Sequence, residues 1–136
     1  MDDLPAITVL IVDDQPRQRE GFRLVLDSVP GITVIGEARD GAQALAFARR
    51  TLTDVILMDI RMPRVNGFVA TGRIAADEKV RELGPPPRVV LVTALDLDEH
   101  IAAASTSGAY AVLYKDALPE SLIEAIRGAA SNRVAD

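Results

Sequence analysis

Residues 7–14 read ITVLIVDD, six mostly β-branched apolar residues that stop on two adjacent acids, and residues 54–59 repeat the device as DVILMD, closing on a third. Runs this short and this apolar are what strands buried on both faces look like. Ile32 to Ile35, Val89 to Val92 and Ala111 to Tyr114 fit the same description. The segments between them carry helical spacing, and strand alternating with helix predicts a doubly wound α/β domain, a five-stranded parallel sheet with helices on both faces. For strand order 2-1-3-4-5, ligands bind beyond the carboxyl ends of the strands, between strands one and three, where the order reverses. Asp13 and Asp14 close strand one and Asp59 closes strand three, so all three carboxylates fall at that place.

Composition narrows the setting. A chain of 136 residues fits one domain, able to bury roughly two thirds of its unfolded surface. The absence of cysteine removes disulfides, thiolate metal sites and a cysteine nucleophile, and fits a reducing, cytoplasmic location. The start MDDLP is acidic where a secretory signal is basic, and no apolar run approaches the ~18 residues of a membrane span, so no membrane partner is expected. A net charge of -5 and a pI near 4.9 have the wrong sign for gripping a phosphate backbone, so direct nucleic-acid binding by this chain is not expected.

Five helices are predicted. The first, about Pro16 to Val29, sets Phe22, Val25, Leu26 and Val29 on one stripe and stops at Pro30-Gly31. The second opens at Asp40, with Gln43 placed to complete a capping box and Ala44, Leu45 and Ala48 turned inward. A single third helix spans about Asn66 to Leu83 and ends at Gly84 and Pro85-Pro86-Pro87. The fourth, about Asp98 to Ser107, has Ile101 as its only large aliphatic anchor, which predicts loose docking and weak amide-exchange protection. The fifth runs from about Pro119 to Ala130 on Leu122, Ile123 and Ile126. One domain over residues 1–131 is expected, with 132–136 a polar tail or the start of a linker.

Thr93 follows strand four and Lys115 follows strand five, so five polar side chains converge on one mouth. Taken singly, each has a plainer account: an aspartate caps a helix or sits in water, and Asp14 could cap the first helix. Lys115 alone is a surface lysine, and Thr93 alone bonds its own loop. Acids, a hydroxyl and a cation at four successive strand ends in compatible roles outweigh those accounts. Carboxylates so crowded raise one another's pKa and cannot all ionise without a cation. Mg²⁺ or a similar hard ion takes only one or two carboxylates, keeps several waters and accepts a phosphate oxygen, so a phosphoryl group is the expected further ligand.

The segments IVDDQP, LMDIRMPRVNG, LVTA and YKD resemble the response-regulator receiver domain of two-component signalling, over nearly the whole chain. The resemblance implies a flavodoxin-like (βα)5 sandwich of three layers. It implies that Asp59 is the phosphoacceptor, Asp14 a direct ligand of Mg²⁺ (or Mn²⁺), Asp13 an acid holding metal-bound water, and Arg61 a ligand through its backbone carbonyl. Lys115 and Thr93 would take the remaining phosphoryl oxygens, and small Ala94 would leave the approach open. It also implies a switch in which Thr93 is drawn inward and Tyr110, at the start of strand five, rotates into the vacated space. That would remodel the surface of the fourth helix, fifth strand and fifth helix. The implied partners are a sensor histidine kinase, an output domain or partner protein, and a second copy of the chain, docked through the first and fifth helices or the fourth-helix face.

Receivers commonly carry proline after the lysine, whereas Asp116 stands here. That KD pair followed by LPESLIEAIR resembles receivers of NarL/FixJ-type regulators, which usually continue into a LuxR-like DNA-binding domain. The chain therefore reads as the receiver of a longer transcription regulator or as a stand-alone one. Asn66 replaces a common aspartate at a helix start, Arg61 is positioned to lean over a phosphoryl group, and His100, the single histidine, receives no role. The alternative is a Mg-dependent phosphatase with an aspartate nucleophile, but such enzymes need a second acid two residues on, where this chain has Arg61. A nucleotide- or flavin-binding module needs a glycine- or hydroxyl-rich loop after strand one, and DDQPRQ repels phosphate. A purely structural domain would tolerate Asp59→Asn silently.

Overall fold

Each apolar run becomes a strand in the computed structural model, which describes residues 6–94 and 106–135, with side chains through Ser131. The strands are β1 (Ile7–Val12), β2 (Ile32–Ala38), β3 (Val55–Asp59), β4 (Arg88–Thr93) and β5 (Ala111–Tyr114). All pairings are parallel, in the order β2-β1-β3-β4-β5. Alternate side chains feed two cores. Val9, Ile11, Leu57, Val90 and Val92 face one way with Phe22, Leu26 and Ile126, while Leu10, Ile56, Met58 and Leu91 face the other with Ala44, Ala70 and Ile74. β3 is buried at every position. The expectation of full burial fails at the sheet edges, where β2 alternates and β5 is only partly covered, because an edge strand has a neighbour on one side alone. β2 also runs beyond Ile35: Val9 pairs with Val34 and Leu10 with Gly36, so a bulge absorbs Ile35.

The helices that lie wholly within the described residues are α1 (Pro16–Asp27), α2 (Gly41–Arg50), α3 (Gly67–Ala76), α4 (Glu78–Leu83) and α5 (Pro119–Ala135). α1 begins on proline and buries Phe22 and Leu26. At α2, Asp40 accepts from the Gln43 N–H at 2.8 Å, and the Gln43 side chain accepts from the N–H of Arg39, one residue before the expected capping-box partner. The predicted single helix from Asn66 to Leu83 is two helices. Asp77 is extended between them (φ -74°, ψ 126°), and its carboxylate accepts both from the Val80 N–H at 3.0 Å and from Arg49 Nη2 at 2.6 Å. An N-cap tied to a neighbouring helix thus interrupts the spacing. α5 continues through Ala135 rather than stopping at Ala130.

Most of the segment expected as the fourth helix, with Ile101 and His100, lies outside the described residues, and so does the expectation of loose docking. Among the described residues no helix is long and apolar enough to cross a membrane.

Candidate functional site

Parallel strands in this order bring their carboxyl ends to one edge. Val12 is in register with Met58, and Asp59 with Val92, so the residues following β1, β3 and β4 are neighbours. Past the end of β1 the ladder gains one more bond, from Asp13 N–H to the Ala38 carbonyl at 3.0 Å. The Asp13 side chain turns back on its own loop, Oδ1 accepting from the Gln15 N–H at 2.9 Å. Its carbonyl accepts from Arg19 Nη1 at 2.6 Å. Asp13 is fully buried and Asp59 nearly so. Asp14 is exposed and makes no hydrogen bond or ion pair among the described residues.

Lys115 enters from the far side of the sheet. Its N–H donates to the Thr93 carbonyl at 2.9 Å, continuing the β4–β5 ladder. That anchor carries the ammonium to 2.9 Å from Asp13 Oδ2 and 3.4 Å from Asp59 Oδ2. Ligand oxygens of Asp13, Asp14 and Asp59 lie within 4.8 Å of one another. Three acids against one ammonium leave the mouth short of positive charge. Burial, and then Asp13, push the Asp59 carboxyl up to about 6, although Lys115 and the Arg61 N–H pull it down. Asp13 Oδ2 is buried without a hydrogen bond, the ammonium facing it only as an ion pair. An all-oxygen donor set with this charge deficit fits a hard divalent cation.

The loop after β3 completes the rim. The Arg61 N–H donates to Asp59 Oδ1 at 3.3 Å, while the Arg61 side chain is exposed beside a cleft of about 690 Å³ that Asp14, Met62 and Phe68 also line. The chain then returns so closely that a Cβ on Gly67 would lie 2.5 Å from the Asp59 carbonyl oxygen and 3.0 Å from Ile60 Cα. Only glycine fits there. Thr93 is buried at the end of β4.

Tyr110 is not where the switch expectation requires it. Its N–H donates to the Val89 carbonyl at 2.8 Å, whereas Thr93 is in register with Tyr114. Four residues of strand, about 13 Å at ~3.3 Å per residue, separate the two levels. The Tyr110 ring is half-buried against α5, where a Cβ on Gly128 would lie 2.5 Å from its hydroxyl, and the Arg88 guanidinium stands 5.7 Å from the ring centroid. The start of a parallel strand is the edge opposite the acids, so Tyr110 is a packing residue there.

Two contributors were missed in the sequence. Gly67 was read only as part of a motif and Arg19 not at all, although its place early in the helix after an acid pair is the signal that could have found it.

This geometry defines a doubly wound α/β domain with a cluster of acids and one lysine at the carboxyl edge of its sheet. Residues 9–127 match the response regulator receiver domain, and the chain belongs to that family. It is 44% identical over 124 residues to the uncharacterized transcriptional regulatory protein YxjL of Bacillus subtilis, covering 91% of this chain and 54% of that protein. It is 34% identical over 127 residues to the nitrate/nitrite response regulator NarL of Escherichia coli, covering 93% and 56%. Among solved structures, the signal receiver domain described for NarL of Mycobacterium tuberculosis superposes with a TM-score of 0.82 at 33% identity, covering 94% of this chain and 98% of that one. The chain thus groups with NarL-type receivers and spans about half the length of the curated relatives it matches.

Proposed function

We propose that this chain is a phosphoacceptor switch in which Asp59 receives a phosphoryl group from a sensor histidine kinase and passes the change to an output that controls transcription. The observation that carries the reading is the single ammonium of Lys115 shared between the buried carboxylates of Asp13 and Asp59, at 2.9 and 3.4 Å. Asp14, Asp59 and the Arg61 carbonyl would hold Mg²⁺ or Mn²⁺, with Asp13 holding its water. When bound, the ion offsets the charge that builds on the phosphoryl oxygens.

Asp59 attacks as the carboxylate, and with its carboxyl pushed up only to about 6 by burial and Asp13 that form is accessible at neutral pH. One carboxylate oxygen attacks phosphorus, the bond from phosphorus to the donor breaks, and the donor leaves with the electron pair, giving an acyl phosphate. Lys115 pairs with a second phosphoryl oxygen and the Thr93 hydroxyl donates to a third. The domain assists its own modification and turns over no external substrate. The domain, expected over residues 1–131, extends with α5 through Ala135 and works in the cytoplasm, alone or as a homodimer, with no membrane or nucleic-acid contact of its own.

Incubation with acetyl phosphate and Mg²⁺, read by intact mass, tests the proposal. Wild type should gain one phosphoryl group, and Asp59→Asn or excess chelator should abolish the gain. Equal modification of Asp59→Asn would refute the assignment.

A further inference from the structure

Asp14 has nothing but its backbone to aim it, for it bonds to no described side chain. Asp13 and Asp14 share one peptide, whose plane helps to fix the backbone from which the Asp14 side chain departs. The carbonyl of that peptide is held by Arg19 Nη1 at 2.6 Å. Arg19 is itself held: its Nε donates to Glu37 Oε1 at 2.9 Å, and the other oxygen of Glu37 accepts from Arg23 Nη1 at 3.1 Å. Glu37 sits on β2 in register with Ile11, two residues before Asp13. The guanidinium is therefore a planar brace between the end of β1 and its neighbouring strand, and its side chain is only 18% exposed.

Resting on the proposed cation site, we infer that Arg19 is a positioning residue for it, fixing the Asp13–Asp14 peptide so that Asp14 faces Asp59. Charge and position predict opposite results for its removal. A positive group near an acidic site opposes a cation, so by Coulomb attraction alone Arg19→Gln would tighten divalent binding. If the brace is what matters, the same change weakens binding, by about tenfold or more as for other groups that orient metal ligands. Arg19→Lys separates the two further, since lysine keeps the charge but cannot bridge a carbonyl and a carboxylate in one plane.

The test is calorimetric titration of the phosphate-free protein with Mg²⁺ and with Mn²⁺, with urea midpoints measured alongside. Arg19→Gln and Arg19→Lys should both lose about tenfold in affinity. Arg23→Gln, with the same charge change and the same Glu37 partner but no contact with Asp13, should bind as wild type. Unchanged or tighter binding by Arg19→Gln overturns the inference, as does an equal loss in Arg23→Gln. If Arg19→Gln does not fold, Arg19→Lys decides, since it keeps the charge and loses the brace: an affinity equal to wild type overturns the inference. Failure of wild type itself to bind either ion refutes the cation site, a result distinct from wild type binding normally while the variants do too.

Discussion

Asp77, at the joint between α3 and α4, and Asp59, at the end of β3, each face a basic side chain, Arg49 in one case and Lys115 in the other. The first carboxyl is held below its ordinary range, mainly by the hydrogen bond from Arg49, whereas the second is pushed up to about 6. The cation does not decide the outcome. Asp77 faces no competing acid and takes hydrogen bonds from both Arg49 and the Val80 N–H, so its pair with Arg49 fastens α2 to the joint. Asp59 is taken out of water beside Asp13, and one ammonium cannot satisfy both. The same pairing of residue types is a fastener in one place and an unsatisfied centre in the other.

The tightest packing in the mouth offers the hardest way to break that contrast. In Gly67→Ala the new Cβ meets backbone atoms at 2.5 and 3.0 Å, which cannot swing aside. A loss of about 3 kcal/mol, the upper range for overpacking, is expected in urea denaturation, with weaker Mg²⁺ binding because Asp59 is displaced.

Asp59→Asn should act in the opposite sense on the metal-free protein. With its pKa raised from 3.8 to about 6, Asp59 keeps its proton in the folded state at pH values where the unfolded chain has lost it. Its penalty is absent below pH 3.8, grows as pH rises through that window and is complete above about 6. Linkage puts it at no more than about 3 kcal/mol. Denaturation of the variant at pH 7 should therefore show higher stability than wild type, and the gap should close toward pH 4. A variant less stable than wild type at pH 7 would break the contrast.

Asp77→Ala should lower the urea midpoint, with a smaller effect than either change above, since it removes one cap bond and one ion pair whose Arg49 end is exposed. Its stabilisation is present above the ordinary carboxylate value of 3.8 and is lost as pH falls through its depressed folded value. Asp77→Asn, which retains a cap for Val80 but loses charge, should fall between the two.

Much of this was legible in the chain itself. ITVLIVDD and DVILMD announced both the strands and the edge on which the acids meet, because a parallel sheet sends every carboxyl end the same way. Asp77 was not legible: helical spacing runs through it, and only the position of Arg49 on another helix makes it a break. The bulge at Ile35 is equally a matter of pairing rather than of pattern. Tyr110 is legible as a strand start, but a residue that starts a parallel strand lies on the edge away from the acids. Arg19 stayed hidden because its partner is a main-chain carbonyl, which no side-chain motif records.

The register of β5 has a practical consequence. The chain contains two tyrosines and no tryptophan. Tyr114 is level with Thr93 and 43% exposed, while Tyr110 lies against Gly128 at the other edge of the sheet. Ultraviolet emission from this protein thus comes mainly from two phenols at opposite ends of one strand, so Tyr110→Phe isolates an unlabelled reporter beside the acid mouth and Tyr114→Phe isolates one that reports on the packing against α5.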